Sequence, residues 1–153
     1  MDRGRLNAAC FIEGLNFYDA SSGFDEKETE IFLSKLYHFA LGNKLYELIC
    51  IERMIDCYLS NGNLLETERC IDYGKILLKN VWSSDIKKNR MFLITGARIN
   101  ELAAMMYQKT NRLDLMDNAY AQCLLLLKTA NKYGFGMQAE IAEFESKIKE
   151  IPK

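Results

Sequence analysis

The sequence is poor both in residues that break helices and in residues that usually carry chemistry. Its 153 residues include one proline, one histidine and one tryptophan. The proline is Pro152, beside the C-terminus, so ring chemistry interrupts no helix in the body of the chain. Charge of one sign is scarce as well. A net charge of -1 fits neither a nucleic-acid binder nor an acidic tail by composition. No strand-like alternation of useful length occurs. The longest strongly apolar run, Cys123 to Leu127, falls far short of the roughly 20 residues that span a bilayer, so no membrane partner is expected. Met1 to Arg5 leads into no long apolar segment, and no secretory leader is expected.

What remains is a greasy, helix-patterned chain. Hydrophobic residues make up 49%, which excludes disorder, and the length suits one domain, residues 1–153, with a sizeable core. Five cysteines (Cys10, Cys50, Cys57, Cys70 and Cys123) are odd in number, widely spaced and set among apolar neighbours. That pattern fits free thiols in a cytoplasmic protein better than a disulfide framework. Charge is unevenly spread, with eleven acids and four bases from Glu13 to Glu68, but two acids and six bases from Asp85 to Arg112. Two solvated faces explain this, and such asymmetry also steers charged partners.

The apolar spacing predicts seven helices joined by short loops, which makes neighbours antiparallel. The first spans Arg5 to Tyr18, with Phe11, Ile12 and Leu15 in its stripe, and ends in the turn formers from Asp19 to Gly23. Asp25 and Glu28 form a capping box for the second, which Gly42-Asn43 stops. The third spans Lys44 to Ser60. Asn63 and Glu66 cap the fourth. Ser84 or Asp85 opens the fifth, beginning near Lys87 and running to about Thr110, with Asn111 closing it. Asp114 caps the sixth, Leu115 to Lys132, and Gly134 and Gly136 separate it from the seventh, Met137 to Ile151.

One stretch repeats a known layout. Tyr58 stands four residues before Gly62, and Thr67, Ile71 and Gly74 follow at small, bulky and small places. This resembles a tetratricopeptide repeat. Tyr107, Asn111, Tyr120 and Cys123 repeat the layout loosely, with Met116 where a small residue is usual. The turns at Gly23, Gly62 and Asn111 lie 39 and 49 residues apart, where a regular array has a period of about 34. The chain is therefore tetratricopeptide-like and irregular, over about half its length.

The resemblance implies an all-α fold of stacked antiparallel hairpins with a C-terminal capping helix, because one hairpin cannot bury its apolar face alone. It implies a non-catalytic module that binds a protein or peptide in the groove lined by the first helix of each pair. Polar residues there that escape the core stripe are Asn16, Glu52, Arg53, Asp56, Arg98, Asn100, Glu101 and Gln108. An Arg98–Asn100 pair would hold a peptide backbone or carboxylate by hydrogen bonds. The chain also looks like the helical-repeat domains of bacterial regulators that sense short peptides. Those carry an N-terminal helix-turn-helix domain, for which the segment before the repeats leaves no room, so a sensor fragment or stand-alone relative is the alternative. A homodimer is compatible with a short stack.

The pattern offers few residues suited to chemistry. His38 is a lone histidine between aromatics, more often a packing or surface residue than a base. There is no HExxH, CxxC or Cys–His cluster, so neither metal nor cofactor is expected. Gly134-Phe135-Gly136 follows no strand and is no phosphate loop. Asp25, Glu26, Glu28 and Glu30 complement a helix dipole. Lys87, Lys88 and Arg90 near Trp82 offer a cation–aromatic patch for single-stranded nucleic acid, but one patch without a second stacking platform makes nucleic acid the lesser expectation.

Overall fold

Helical periodicity is realised throughout the computed structural model, which describes residues 3–21, 23–80 and 89–151. Seven α-helices run in order among them: α1 (Arg3–Ala20), α2 (Glu26–Ala40), α3 (Lys44–Ser60), α4 (Leu64–Asn80), α5 (Arg90–Lys109), α6 (Leu113–Lys132) and α7 (Gln138–Lys149). No strand occurs among the described residues. Nor is any helix there long and apolar enough to cross a membrane.

Local chemistry fixes the boundaries. Asp25 accepts the Glu28 amide at 2.8 Å to start α2, and Asn63 accepts the Glu66 amide at 3.3 Å to start α4. Asn43, expected to end α2, instead caps α3 by accepting the Tyr46 amide at 3.1 Å. Asn89 caps α5 in the same way through the Phe92 amide at 3.0 Å. The expected caps Ser84 and Asp85, with Trp82, Lys87 and Lys88, lie outside the described residues. Asp114 does not cap α6. That helix starts two residues before the expected Leu115, at Leu113, without a side-chain cap. Asn111 makes the preceding turn at φ 57°, a left-handed conformation asparagine tolerates. Arg112 then turns back, donating to Glu68 at 2.6 Å and lying over the Tyr107 ring. α1 extends past Tyr18, so Asp19 belongs to the helix and not to a turn.

Consecutive helices pack on one another, and α3 also packs on α5. That is the signature of stacked hairpins, with α7 laid against α6. α3 serves two cores. Ile49 and Cys50 join Phe11, Leu33 and Leu36, while Leu48, Ile51 and Ile55 join Ile71, Phe92, Ile99 and Leu102. A stacked Phe11–Tyr46 pair, 4.5 Å between ring centres, ties α1 to α3.

The repeat-like positions Tyr58, Thr67, Ile71 and Gly74 are all buried. Thr67 donates to the Asn63 carbonyl at 2.7 Å, turning a potential buried orphan into part of the α4 start. A Cβ added to Gly74 would lie 3.4 Å from Ile51 and 3.6 Å from Ile99, in ordinary contact. The tighter approaches are at Gly14, where it would meet Leu36 at 2.6 Å, and at Gly96, where Leu78 and Leu126 stand at 3.0 and 3.2 Å.

All five cysteines are free, Cys50 and Cys123 buried and the others half-buried. Burial pushes the Cys50 and Cys123 thiols up to about 12 and Cys70 up to about 11. At neutral pH these are packing groups, not nucleophiles.

Candidate functional site

The odd-numbered helices bring charged side chains together that the sequence scatters over most of the chain. On α3, Glu52 and Arg53 are neighbours, and Arg53 lies between α1 and its own Glu52. Its guanidinium grips Asp19 of α1 with two hydrogen bonds of 2.9 Å and donates to Glu52 at 2.5 Å. Arg98 of α5 approaches Glu52 at 3.8 Å and Asp56 at 3.7 Å, and it pairs one turn along its own helix with Glu101. Glu101 also takes Lys147 of α7 at 3.6 Å. Asp19, Arg53, Glu52, Arg98, Glu101 and Lys147 thus form a ladder of alternating sign across α1, α3, α5 and α7.

Glu52 is the rung set deepest, 8% exposed. Burial pushes its carboxyl above the usual glutamate range, and the facing guanidiniums of Arg53 and Arg98 pull against that shift. The Arg53 guanidinium is held still more firmly in its charged form, first by the hydrogen bonds to Asp19, while its own burial opposes this.

Two adjoining hollows follow the ladder and share Arg98. One, of about 520 Å³, is bounded by Tyr18, Asp19, Phe24, Glu52, Arg53 and Asp56. The other, of about 250 Å³, is bounded on the α6–α7 side by Cys123, Leu127, Glu140, Glu143, Phe144 and Lys147. Together they make a trough along the four odd-numbered helices. Its described walls carry six carboxylates (Asp19, Glu52, Asp56, Glu101, Glu140, Glu143) against three cations (Arg53, Arg98, Lys147), an acidic excess.

Of the residues predicted from sequence, Glu52, Arg53, Asp56, Arg98 and Glu101 converge here. Asn100 does not. It is 6% exposed, and its amide donates to the Gly96 carbonyl at 2.9 Å. It lines a separate hollow between α4 and α6. Two helical residues on, a side chain has turned by about 200°, so the Arg98–Asn100 pair expected from sequence is not formed. Asn16 is exposed one turn before Asp19, and Gln108 is exposed near the end of α5; neither is among the described lining residues.

Asp19 and Lys147 complete the ladder and were not singled out by sequence. Asp19 reads as a turn former, and Lys147 as an ordinary cation of a terminal helix. Their signal is only that each supplies the sign the ladder lacks at its end. His38 is exposed on α2, edge-on to Phe39 at 5.9 Å, and Arg90 is exposed at the start of α5. No group of three or more His, Cys, Asp or Glu among the described residues is placed to hold a metal ion. Carboxylates, guanidiniums and one ammonium suit the holding of charged or amide groups. No protein-family model, curated protein or solved structure matches the chain.

Proposed function

We propose that this chain is a non-catalytic module of tetratricopeptide-like hairpins that holds a peptide or protein segment along the trough of α1, α3, α5 and α7. One observation carries the reading: the ladder converges on this face from four helices while leaving its walls with twice as many carboxylates as cations. Opposite charges already paired within the wall are pre-organised, so a segment laid over them loses little freedom on their side. The acidic excess selects a segment bearing lysine or arginine, and the guanidinium edges offer donors to its carbonyl groups. Sensing of a short signalling peptide is the same chemistry at smaller size. A cytoplasmic setting suits the free thiols.

An array of short peptides graded from acidic to basic tests this. Basic members are expected to bind with affinities on the order of micromolar, weakening as salt rises. The double reversal Asp56→Lys/Glu143→Lys should weaken them about tenfold, while Asp117→Lys on α6 leaves them unchanged. An array without binders, or binders indifferent to the double reversal, overturns the reading.

A further inference from the structure

The third hollow, on the other side of α5 from the ladder, has a different chemistry. It is half-open, has a volume of about 500 Å³, and is bounded by Lys75, Leu78 and Lys79 of α4, Asn118, Ala119, Gln122, Leu125 and Leu126 of α6, and Asn100 beneath. The spacing is that of two helix faces turned toward each other across a third: i, i+3 and i+4 on α4, and i, i+4 and i+7 on α6. Its size lies within the range of small-molecule sites.

Gly96 opens it. With no Cβ there, Leu78 and Leu126 settle back onto the α5 backbone, since an added methyl would stand only 3.0 and 3.2 Å from them. The floor so formed is apolar, and Leu125 stands at the wall 56% exposed. Asn100, buried in the middle of a helix, contributes an amide to the same floor. The described lining carries two ammonium groups and no carboxylate. Lys75 donates to the Tyr107 hydroxyl at 2.6 Å and lies over its ring, while Lys79 is exposed at the rim. An apolar floor, three side-chain amides and cations of one sign are complementary to a slender aliphatic body with a single anionic head.

We propose that this outer hollow binds a medium-chain carboxylate, its alkyl chain over Leu78, Leu125 and Leu126 and its head at Lys79 and Lys75. The inference stands apart from the trough and from any peptide bound there.

Decanoate, below its micellar concentration, is the probe, and the side-chain amide resonances of Asn100, Asn118 and Gln122 are the reporters. The expected result is saturable shifts at those amides, stronger binding than 1-decanol, and about tenfold weaker binding in Lys79→Glu, a surface change that leaves the core intact. Gly96→Ala, which pushes Leu78 and Leu126 outward into the hollow, should weaken decanoate and leave the Lys79 charge in place. The proposal is overturned by an absence of shifts at these amides, by equal binding of decanol, or by an affinity that neither variant alters.

Discussion

The trough and the outer hollow share one wall, α5, and differ in what fills them. Arg98 and Glu101 face the trough, where the charges of the ladder meet their opposites and the chain of contacts runs from α1 to α7. Gly96 and Asn100 face the outer hollow, where the lining is apolar and amide-rich and the described charges have one sign. In the first case the charges are part of what holds neighbouring helices in register. In the second, Lys79 stands exposed at the rim, and Lys75 reaches only the neutral Tyr107 hydroxyl and ring on α5. A helix of 3.6 residues per turn carries both faces within six residues.

The largest effect expected from this contrast is on stability. Arg53→Met removes the guanidinium between Asp19 and Glu52 and leaves the buried carboxylate of Glu52 with only the longer approach of Arg98. Because the Arg53 side chain is partly exposed, the expected loss is about 2–3 kcal/mol, below what breaking a fully buried pair costs. Lys79→Met, at the outer rim, should stay within about 0.5 kcal/mol of the parent. Midpoints of urea unfolding measure both. Equal midpoints would abolish the distinction between the faces.

A smaller effect, of opposite sign, sharpens the role of α5's neighbours. Gly74→Ala places its methyl in ordinary contact with Ile51 and Ile99 and removes a helix-interior glycine. It should stabilise by about 0.5–1 kcal/mol, read from the same unfolding curves. A loss instead would mean that the small residue of the repeat-like motif is required where α4 crosses α3 and α5, as the family resemblance implies.

Most of the fold was legible because periodicity reports which face of a helix is buried, and this chain has few competing signals. The stripe of Leu48, Ile51 and Ile55 and the capping pairs at Asp25 and Asn63 needed no tertiary information. The start of α5 was not legible. Asparagine reads equally as a stop and as an N-cap, and only the hydrogen bond to Phe92 decides for Asn89. The site was legible in part for the same reason. Glu52, Arg53 and Asp56 lie on one face of α3, and Arg98 with Glu101 on one face of α5, at spacings a helical wheel reveals. Asn100 fails on that wheel, and spacing alone was enough to separate it from Arg98. What no wheel supplies is the pairing between helices. That α1 offers Asp19 and α7 offers Lys147 depends on how the hairpins stack.

The smallest expected effect concerns pH, and it contrasts two carboxylates with opposite environments. Glu52, in the trough, is raised above the ordinary glutamate value of 4.5 by burial. The folded chain therefore holds its proton more tightly than the unfolded chain. Its charge weighs against the fold at neutral pH, and that penalty is relieved as pH falls through the raised value. Glu68, on α4, is lowered from the same value by the hydrogen bond from Arg112. Its contribution is present above 4.5 and is lost as pH falls through the lowered value, and solvent screens most of it. Carbon-13 titration of the two side-chain carboxyls should place Glu52 above Glu68, with Arg53→Met moving Glu52 further upward and Glu68 not at all. Were Glu52 instead to titrate below 4.5, the guanidiniums would outweigh its burial, and the ladder would be a set of strong ion pairs whose charges a bound segment could not easily draw upon.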